Sequence, residues 1–413
     1  MNIAIFTDTF LPRFDGVITS ILNTAEEFIR RGNTVRVFAP RIRKNQDEMI
    51  REYLPGLDFS LIPGVSALFY PDFRVTVPVT PWVIRELKKM QADVIHFHTP
   101  FTMGMEGILS SAYLSLPLIS TFHTYFIEPE YLKIVHLHRL PGITRFGWAY
   151  SNFFHNMCDV TISPSQYTAD ELIRKNLRCP VRVISNGIPL RASRDLSEEE
   201  KEEIRRKFGL KKNVMLFIGR VSVEKCIDVV MRAAAKIFQG RNDTTLLIVG
   251  DGPAFEQMKE LAKEMGIQEN TVFTGGIPHA QLIESGIFEI SKFFVTASTS
   301  ENQPMTIIES SMFGLPIIGV NAKGIPEMIS DNGFIAEPGN EAEIADYMQR
   351  LIEDDELHKK MSKGSIRKGQ EYDIVKTTDQ MEKLYEVLIK KVKRQGKRRR
   401  ISLKTLYKIL GKR

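Results

Sequence analysis

The sequence has 413 residues, of which 43% are hydrophobic and 26% are charged. This length allows two or three domains, and this composition excludes a disordered or fibrous protein. The three cysteines, Cys158, Cys179 and Cys226, give neither a disulfide framework nor a paired zinc motif, which favours a reducing compartment. The first residues lack the basic region and the cleavage site of a secretory signal, so we expect a cytoplasmic protein.

Basic residues are concentrated at the end of the chain. The segment from Lys390 to Arg413 contains twelve basic residues and no acidic one, which leaves 44 basic and 50 acidic residues in the rest. This asymmetry predicts an anionic partner for the tail, either a membrane surface or nucleic acid.

One stretch without formal charge, Gly107 to Ile127, has to be weighed as a membrane span. It contains several serines and threonines, together with Pro117 and His123, which are unfavourable in hydrocarbon. We therefore expect a helix followed by a buried strand.

The N-terminal half alternates between strands and helices. A helical face is predicted from the apolar residues Ile18, Ile21, Leu22, Ala25 and Ile29, with Gly32 ending that helix. Strands are predicted at Asn2–Phe6, Thr34–Phe38, Asp93–Phe97, Leu118–Phe122, Val160–Ser163 and Val181–Ile184. Helical connections between strands indicate right-handed crossovers and a parallel sheet.

A second series of alternating elements follows a charged stretch, Arg191–Lys207. Its predicted strands are Val214–Ile218, Leu246–Val249, Val272–Thr274 and Phe293–Thr296. The sequence thus predicts an α/β protein with two doubly wound domains, 1–187 and 213–385, joined by a linker and first helix at 188–212 and followed by a basic tail at 386–413. Ligands of such sheets bind beyond the carboxyl ends of the strands, so we expect the ligand in a cleft between the two domains.

The segment from Ser300 to Pro316 carries two carboxylates next to a predicted helix. Pro304 suits the first position of this helix and Gly314 its C-terminal end, so we expect about ten residues entered directly from the preceding strand. Glu301 then lies in the turn and Glu309 within the helix, where each carboxylate can accept hydrogen bonds from neighbouring hydroxyl groups. Taken alone, each of them is more simply an ordinary helix acid.

Two cations follow the strand Val214–Ile218. Arg220, after Gly219, and Lys225 lie between this strand and the next helix, which is a suitable place to bind a diphosphate, although such residues are also common in surface turns. Gly252 belongs to a glycine turn that permits close backbone approach. No dinucleotide fingerprint and no P-loop motif is present.

Two further candidates lie in the N-terminal half. Gly16, at the start of the first helix, would let a phosphate or a substrate approach the helix N-terminus, and His123 follows a strand at its carboxyl end. His96 and His98 are expected on opposite sides of another strand. A structural role is the simpler reading of a single histidine at a strand end.

In this order along the chain, these motifs resemble the family-4 glycosyltransferases of GT-B fold, over about residues 1–385. The resemblance implies two Rossmann-like domains facing across a cleft, and a retaining transfer from a nucleotide sugar that needs no metal or other cofactor. By position, Arg220 and Lys225 would bind the donor diphosphate, and Glu309 the ribose hydroxyls. Glu301 and the backbone of Asn302, Gln303, Pro304 and Met305 would contact the donor sugar, with His123 near its C6 hydroxyl. Gly16, Gly219 and Gly252 complete the implied donor site.

The chain departs from the family at one point. Many members have Glu-Gly-Phe-Gly where this chain has Glu301-Asn302-Gln303-Pro304, and Pro304 has no N–H to donate. Within the family, the segments FTDTF, FHTYF and ASTSENQ and the basic tail are most similar to bacterial diacylglycerol glycosyltransferases.

The basic tail also favours a diacylglycerol glycosyltransferase within the family. In it, Leu403, Leu406, Tyr407 and Leu410 form an apolar helical face. The basic residues expected at an anionic membrane surface are Lys397, Arg398, Arg399, Arg400, Lys404 and Lys408. The aromatic segment Tyr125–Phe154 is a second candidate membrane contact, for which a buried helical pair is the alternative.

The sequence therefore predicts a peripheral hexosyltransferase on the inner face of the cell membrane. It would move glucose or galactose from a UDP-hexose to diacylglycerol or a glycosyl-diacylglycerol. The alternatives are a mannosyl- or glucosyltransferase acting on phosphatidylinositol or on a soluble sugar, and a non-catalytic protein that binds nucleotide sugars or nucleic acid. No nucleic-acid-binding motif accompanies the tail, so we expect no nucleic-acid partner.

Overall fold

A computed structural model describes residues 1–12, 15–67, 70–76, 79–123, 125, 142–190 and 193–395 of the chain. The chain divides into two compact units. Unit 1 contains Met1–Gly187 and the helix Ile374–Gln395, and unit 2 contains Ile188–Asp373.

Unit 1 is built on a parallel sheet. Its strands are β1 (Asn2–Phe6), β2 (Thr34–Pro40), β3 (Asp58–Ile62), β4 (Gly64–Ala67), β5 (Tyr70–Thr76), β6 (Val94–Phe97), β7 (Leu118–Thr121), β8 (Val160–Ser163) and β9 (Val181–Val183). Its first helices are α1 (Gly16–Arg30), α2 (Gln46–Tyr53), α3 (Thr80–Lys89), α4 (Thr102–Leu114), α5 (Ile143–Asn156) and α6 (Gln166–Arg174). The sheet order is β3-β2-β1-β6-β7-β8-β9, and β4 and β5 form an antiparallel pair.

Both faces of this sheet are buried. Ile3 and Ile5 of β1 pack in the cluster that contains the apolar face of α1, whereas Ala4 and Phe6 pack on the opposite side with residues of α3 and α4. Alternate side chains of a strand point to opposite faces, so a strand covered on both sides is apolar throughout. This is why the short run Asn2–Phe6 can be assigned from sequence.

Unit 2 is a second parallel sheet, of order β12-β11-β10-β13-β14-β15. Its strands are β10 (Asn213–Ile218), β11 (Thr244–Val249), β12 (Thr271–Gly275), β13 (Ser291–Val295), β14 (Ile317–Val320) and β15 (Gly333–Ala336). Its helices are α7 (Glu198–Phe208), α8 (Ile227–Phe238), α9 (Phe255–Glu264), α10 (His279–Glu284), α11 (Ile287–Ile290), α12 (Met305–Met312), α13 (Glu341–Glu353) and α14 (Asp355–Glu371). The predicted α/β class with two doubly wound units is confirmed.

The last helix of the described residues, α15 (Ile374–Gln395), returns to unit 1. It buries Met381, Tyr385, Leu388 and Ile389 in the cluster that contains α1. The sequence prediction differs here, since it gave residues up to 385 to the second domain and placed 386–413 in a separate tail. Helical periodicity identifies the apolar face of α15, but it does not identify the core that this face covers.

None of the described helices is both long enough and apolar enough to cross a bilayer. Within the uncharged stretch that begins at Gly107, the structure places the second half of α4 and the strand β7. The expected helix and buried strand are therefore present.

Two glycines bring the loops after β10 and β11 into direct contact. Gly250 has a φ of +144°, and a Cβ atom there would lie 1.8 Å from the carbonyl oxygen of Gly219. A Cβ atom at Gly252 would lie 2.3 Å from the carbonyl oxygen of Val221. The Val221 N–H donates to the carbonyl oxygen of Asp251 at 2.9 Å, so the two loops stay paired beyond the ends of their strands.

We predict that Gly250→Ala lowers the free energy of unfolding of unit 2 by at least about 2 kcal/mol, because the new methyl group meets a backbone oxygen that cannot move without breaking this pairing. Far-UV circular dichroism in urea measures the loss. Trp82 and Trp148, the two tryptophans of the chain, both belong to unit 1, so their fluorescence reports that unit separately.

Gly240→Ala is the matched control, because nothing lies within 4 Å of a Cβ atom at that position. We expect it to leave both transitions unchanged. Equal stability of the two variants would contradict the steric explanation.

Candidate active site

The candidate site of unit 2 lies where the order of its sheet reverses. The chain proceeds outward from β10 through β11 to β12, and then crosses back to β13 on the other side of β10. Connections that leave adjacent strands in opposite directions open a crevice at the carboxyl ends of those strands. Residues Gly219–Lys225 follow β10 and residues Thr296–Pro304 follow β13, so most of the predicted donor-site residues lie at this point.

An ion pair joins the two loops. The Lys225 ammonium donates a hydrogen bond to the Glu301 carboxylate, although the residues are 76 positions apart in the sequence. Both side chains are less than one-fifth exposed, so their charges are only partly hydrated. Because an ammonium group has three N–H donors, Lys225 can contact an anionic ligand while it remains bonded to Glu301.

Glu224 anchors the loop that presents Lys225. A short 3₁₀ turn covers Val223–Lys225, and within it Glu224 is buried whereas Val223 is exposed. The Ser222 hydroxyl donates to Oε1 of Glu224 at 2.5 Å, and the Ser298 hydroxyl donates to its carbonyl oxygen at 3.3 Å. Because these contacts hold Glu224 in the interior, the position of the adjacent residue Lys225 is fixed as well.

Glu309 lies on α12 with 6% of its side chain exposed. Its Oε1 atom is 2.8 Å from Nε2 of His279, at the start of α10. The sequence analysis missed His279 as a site residue. It could have been proposed from its position beyond the carboxyl end of β12, directly after Pro278. A ring N–H that donates to one oxygen holds the carboxylate in place and leaves its other oxygen as an acceptor for ligand hydroxyls.

The segment before α12 differs from the prediction in its geometry. A loop of nine residues separates β13 from α12, so the helix is not entered directly from the strand. Pro304 precedes the helix as its N-cap, and the helix has eight residues rather than about ten. Asn302 and Gln303 are buried, as is Met305, so in this structure little of their side chains is exposed to a ligand.

Gly219, Arg220 and Gly252 lie in the two paired loops after β10 and β11. Arg220 is partly exposed at the carboxyl end of β10, and its contact with a diphosphate stays a prediction. Gly252 has a structural reason to be glycine, because Val221 lies against it. Its role in donor binding stays a prediction.

In unit 1, the start of α1 is already capped. Oδ1 of Asp15 accepts hydrogen bonds from the N–H groups of Val17 and Ile18, both at 3.0 Å. A carboxylate at this position satisfies the helix N-terminus and opposes a second anion. Gly16 is exposed beside it, and its contact with a phosphate or a substrate stays a prediction.

His123 follows β7, is partly exposed, and contacts a group of buried histidines. Its Nε2 atom lies 2.8 Å from Nδ1 of His98, and the ring of His98 is 4.2 Å from that of His96 between centroids. The expectation that His96 and His98 lie on opposite faces is wrong, because residues two apart along a strand point to the same face. Burial lowers the pKa of His123 to about 3, so this ring is neutral near pH 7 and acts as a hydrogen-bonding group rather than as a cation.

Asp8, in the FTDTF segment, is a buried carboxyl group at the carboxyl end of β1. Its oxygens accept hydrogen bonds from the hydroxyls of Thr99 and Thr102 and from the N–H of Met103, at the start of α4. Burial raises the pKa of Asp8 to about 6. This residue therefore caps α4 from another part of the chain.

The predicted membrane-binding residues, Lys397, Arg398, Arg399, Arg400, Lys404 and Lys408, lie outside the described residues. The aromatic segment Tyr125–Phe154 is described at Tyr125 and from residue 142 onward. Tyr125 and Trp148 are buried, whereas Phe146 and Phe153 on α5 are 67% and 43% exposed.

Both halves of the chain match known protein families. Residues 14–192 match the model described as Glycosyltransferase Family 4, and residues 200–368 match the model described as Glycosyl transferases group 1. The chain therefore belongs to the family-4 glycosyltransferases. The prediction of a hexosyltransferase with GT-B fold is confirmed. The alternative of a non-catalytic binding protein is wrong.

Individual relatives cover most of the chain. An alpha-monoglucosyldiacylglycerol synthase of Streptococcus pneumoniae is 30% identical over 84% of this chain and 77% of its own length. A GDP-mannose-dependent alpha-mannosyltransferase of Corynebacterium glutamicum is 26% identical over 87% and 83%. The crystal structure of Anabaena Alr3699/HepE in complex with UDP and glucose superposes with a TM-score of 0.75 at 20% identity, over 94% of this chain and all of that one.

The buried histidines predict acid sensitivity of unit 1. Burial lowers the pKa of His96, His123 and His155 to about 3 each, against an ordinary value near 6.5, so below about pH 6.5 the unfolded chain binds protons that the folded chain does not. The folded state therefore loses stability as the pH falls through this range. The raised pKa values of Asp8 and Glu106 act in the opposite direction, but these are two groups against four histidines whose pKa is lowered.

We predict that His155→Asn reduces this loss by about 1.4 kcal/mol between about pH 7.5 and about pH 5.5, because one titrating group is removed. An asparagine retains a polar atom where Nδ1 of His155 contacts the Ser120 hydroxyl. Urea unfolding followed by tryptophan fluorescence measures the effect. An unchanged pH dependence would show that folding does not lower the pKa of His155.

Proposed function

We propose that the protein transfers a hexose, glucose or galactose, from a UDP-sugar to diacylglycerol or a glycosyl-diacylglycerol, with retention of the anomeric configuration and at a membrane surface. The observation that carries this proposal is the pairing of Lys225 with Glu301 at the reversal point of the unit 2 sheet. This pair supports the proposal, because a cation suited to bind a diphosphate lies beside a carboxylate suited to accept hydrogen bonds from sugar hydroxyls.

The donor end of the site has a defined chemistry. When the bond between the anomeric carbon and the diphosphate oxygen breaks, its electron pair leaves with UDP, and the acceptor hydroxyl oxygen bonds to that carbon while its proton passes to the released UDP. Negative charge thus develops on the diphosphate, where Arg220 and Lys225 stabilise it. Two fixed cations can supply this charge without a metal ion, and we expect a chelator to leave the rate unchanged.

Glu309 is assigned to bind the ribose of the UDP-sugar. Its carboxylate, held by His279, is suited to accept hydrogen bonds from the two ribose hydroxyls. The HepE complex with UDP and glucose supports a uridine nucleotide as the ligand of this fold. His123 would donate to a hydroxyl of the transferred sugar.

The acceptor is assigned from the relatives. The Streptococcus pneumoniae relative is named as a synthase of alpha-monoglucosyldiacylglycerol, which supports a lipid acceptor. The Corynebacterium glutamicum relative is named as a GDP-mannose-dependent enzyme and supports the second candidate, a mannosyltransferase.

One assay separates these candidates. Purified full-length protein is incubated with vesicles that contain diacylglycerol and, in parallel, with UDP-glucose, UDP-galactose or GDP-mannose. We expect a glycolipid with an alpha linkage from a UDP-hexose. A product from GDP-mannose alone, or transfer only to a soluble sugar, would overturn the proposal.

We predict that Lys225→Ala lowers kcat at least about 100-fold, because the charge next to the departing diphosphate is lost. Lys225→Arg keeps the charge and the partner Glu301, and we expect it to remain within about tenfold of the native rate. Steady-state kinetics with UDP-hexose measures both variants, and circular dichroism checks the fold.

Lys236→Ala is the matched control for this prediction. Lys236 also pairs with a glutamate, Glu341 at 3.1 Å, but it lies on α8 outside the candidate site. We expect native turnover from this variant. Near-native turnover of Lys225→Ala as well would exclude Lys225 from the reaction.

For the membrane surface, we predict that a chain ending at Gln395 loses most of its binding to anionic vesicles. The removed segment carries eight basic residues, each worth about 1 kcal/mol near such a surface. A cut after Gln395 keeps α15, whose buried residues Leu388 and Ile389 belong to the core of unit 1. Vesicle sedimentation at low and high salt measures the binding.

The double substitution Phe146→Gln and Phe153→Gln on α5 is the comparison, since both rings are exposed and their removal costs the fold little. We expect a smaller effect from it than from the truncation. Retained binding of the truncated chain would contradict the assignment to the tail, and loss of binding in the double variant would then place the contact on α5.

A further inference from the structure

The reversal point of the unit 1 sheet lies between β1 and β6, and His98 directly follows β6 there. Its side chain is 5% exposed, and its backbone N–H donates to the carbonyl oxygen of Phe6 at 2.9 Å. This hydrogen bond fixes the backbone of His98 to the neighbouring strand β1.

The ring of His98 bonds to that of His123 through Nδ1 and Nε2 respectively, at 2.8 Å. Burial holds the pKa of both rings well below the ordinary value, so both are neutral near pH 7. A hydrogen bond between two neutral imidazoles requires one N–H and one bare nitrogen. Two arrangements satisfy this requirement, and they differ in which ring donates.

The other nitrogen of His98 decides between them. Its Nε2 atom is buried and has no hydrogen-bond partner among the described residues. If His123 donated, the proton of His98 would be on this Nε2, as a buried N–H without an acceptor. If His98 donates from Nδ1, its Nε2 is a bare nitrogen, and a buried acceptor without a partner is less rare in proteins than a buried donor without one.

His96 supports the position of the His98 ring. Its Nδ1 lies 2.6 Å from the Tyr385 hydroxyl, and its Nε2 lies 2.7 Å from the Thr121 hydroxyl. A ring bonded at both nitrogens cannot rotate without losing a hydrogen bond. The His96 ring is therefore held in place where it packs against the ring of His98. Tyr385 belongs to α15, and this helix therefore takes part in holding the group of histidines.

We propose that His98 is a positioning residue, which donates from Nδ1 to Nε2 of His123 and thereby keeps the proton of His123 on Nδ1. The ring of His123 then carries its N–H at Nδ1 and not at Nε2. The assignment of that N–H to a hydroxyl of the transferred sugar rests on the proposed function, whereas the tautomer itself does not.

The tautomer is tested first, on the full chain without substrate. Nitrogen NMR of protein labelled in its eight histidines distinguishes a protonated from a bare ring nitrogen, and His123→Gln identifies the signals of His123. We expect a protonated Nδ1 and a bare Nε2 at about pH 7.5. The opposite pattern would overturn the proposal, whatever reaction the protein catalyses.

The kinetic test uses two substitutions of equal size. In His98→Asn, the side-chain amide replaces the Nδ1 donor, so we expect the same tautomer of His123 and a kcat within about threefold of the native value. In His98→Asp, an acceptor replaces the donor, so we expect the proton of His123 to move to Nε2 and kcat to fall about tenfold or more, with little change in KM for the donor.

Each outcome is decisive. His155→Asn, a substitution in a buried histidine outside the site, controls for general loosening of unit 1 and should leave kcat unchanged. An Asp variant with native kcat, or an Asn variant as slow as the Asp variant, would overturn the positioning role. If the Asp variant does not fold, the native spectrum and the Asn variant still decide. Absence of any transfer by the native protein would refute the proposed function, while the spectrum would still test the tautomer.

Discussion

The ion pair between Lys225 and Glu301 depends on the adjacency of two strands that the chain does not visit in succession. β10 and β13 are neighbours in the sheet because the chain first builds β11 and β12 on one side of β10 and then crosses to the other. That crossing brings the loop that carries Glu301 next to the loop that carries Arg220 and Lys225. A charge pair at the carboxyl ends of buried strands is also only partly hydrated, which strengthens its effect on a ligand.

The two units use different chemistry at equivalent places in their sheets. At the reversal point of unit 2, opposite charges meet in a partly exposed crevice. At the reversal point of unit 1, the chain places the His98 ring and the buried carboxyl group of Asp8. Burial lowers the pKa of His98 and raises the pKa of Asp8, and each shift favours the uncharged form of its group. Unit 2 is therefore suited to stabilise charge, and unit 1 to direct hydrogen bonds.

The sequence is a good guide where a residue's environment is local. β1 and β8 match their predicted bounds, and β1 could be recognised because a strand covered on both faces is largely apolar. Lys225 and Glu301 could each be proposed from their positions after strands, but their pairing could not, since it depends on strand order. His98 and His279 were missed as site residues because their partners, His123 and Glu309, lie 25 and 30 positions away. The partner unit of α15 was missed for the same reason: its apolar face is local information, whereas the core that it covers is not.

The return of α15 makes unit 2 an insertion within unit 1. The chain leaves unit 1 after Gly187 and re-enters it at Ile374, so two peptide connections join the units instead of one. A fragment that ends at Gly187 would lack Tyr385 and the other apolar residues of α15, and would expose the surface of α1 that they cover. Unit 2, by contrast, is continuous in sequence. The two units therefore differ in the fragments that would contain them: one continuous segment encodes unit 2, whereas any fragment meant to contain unit 1 has to carry α15 as well.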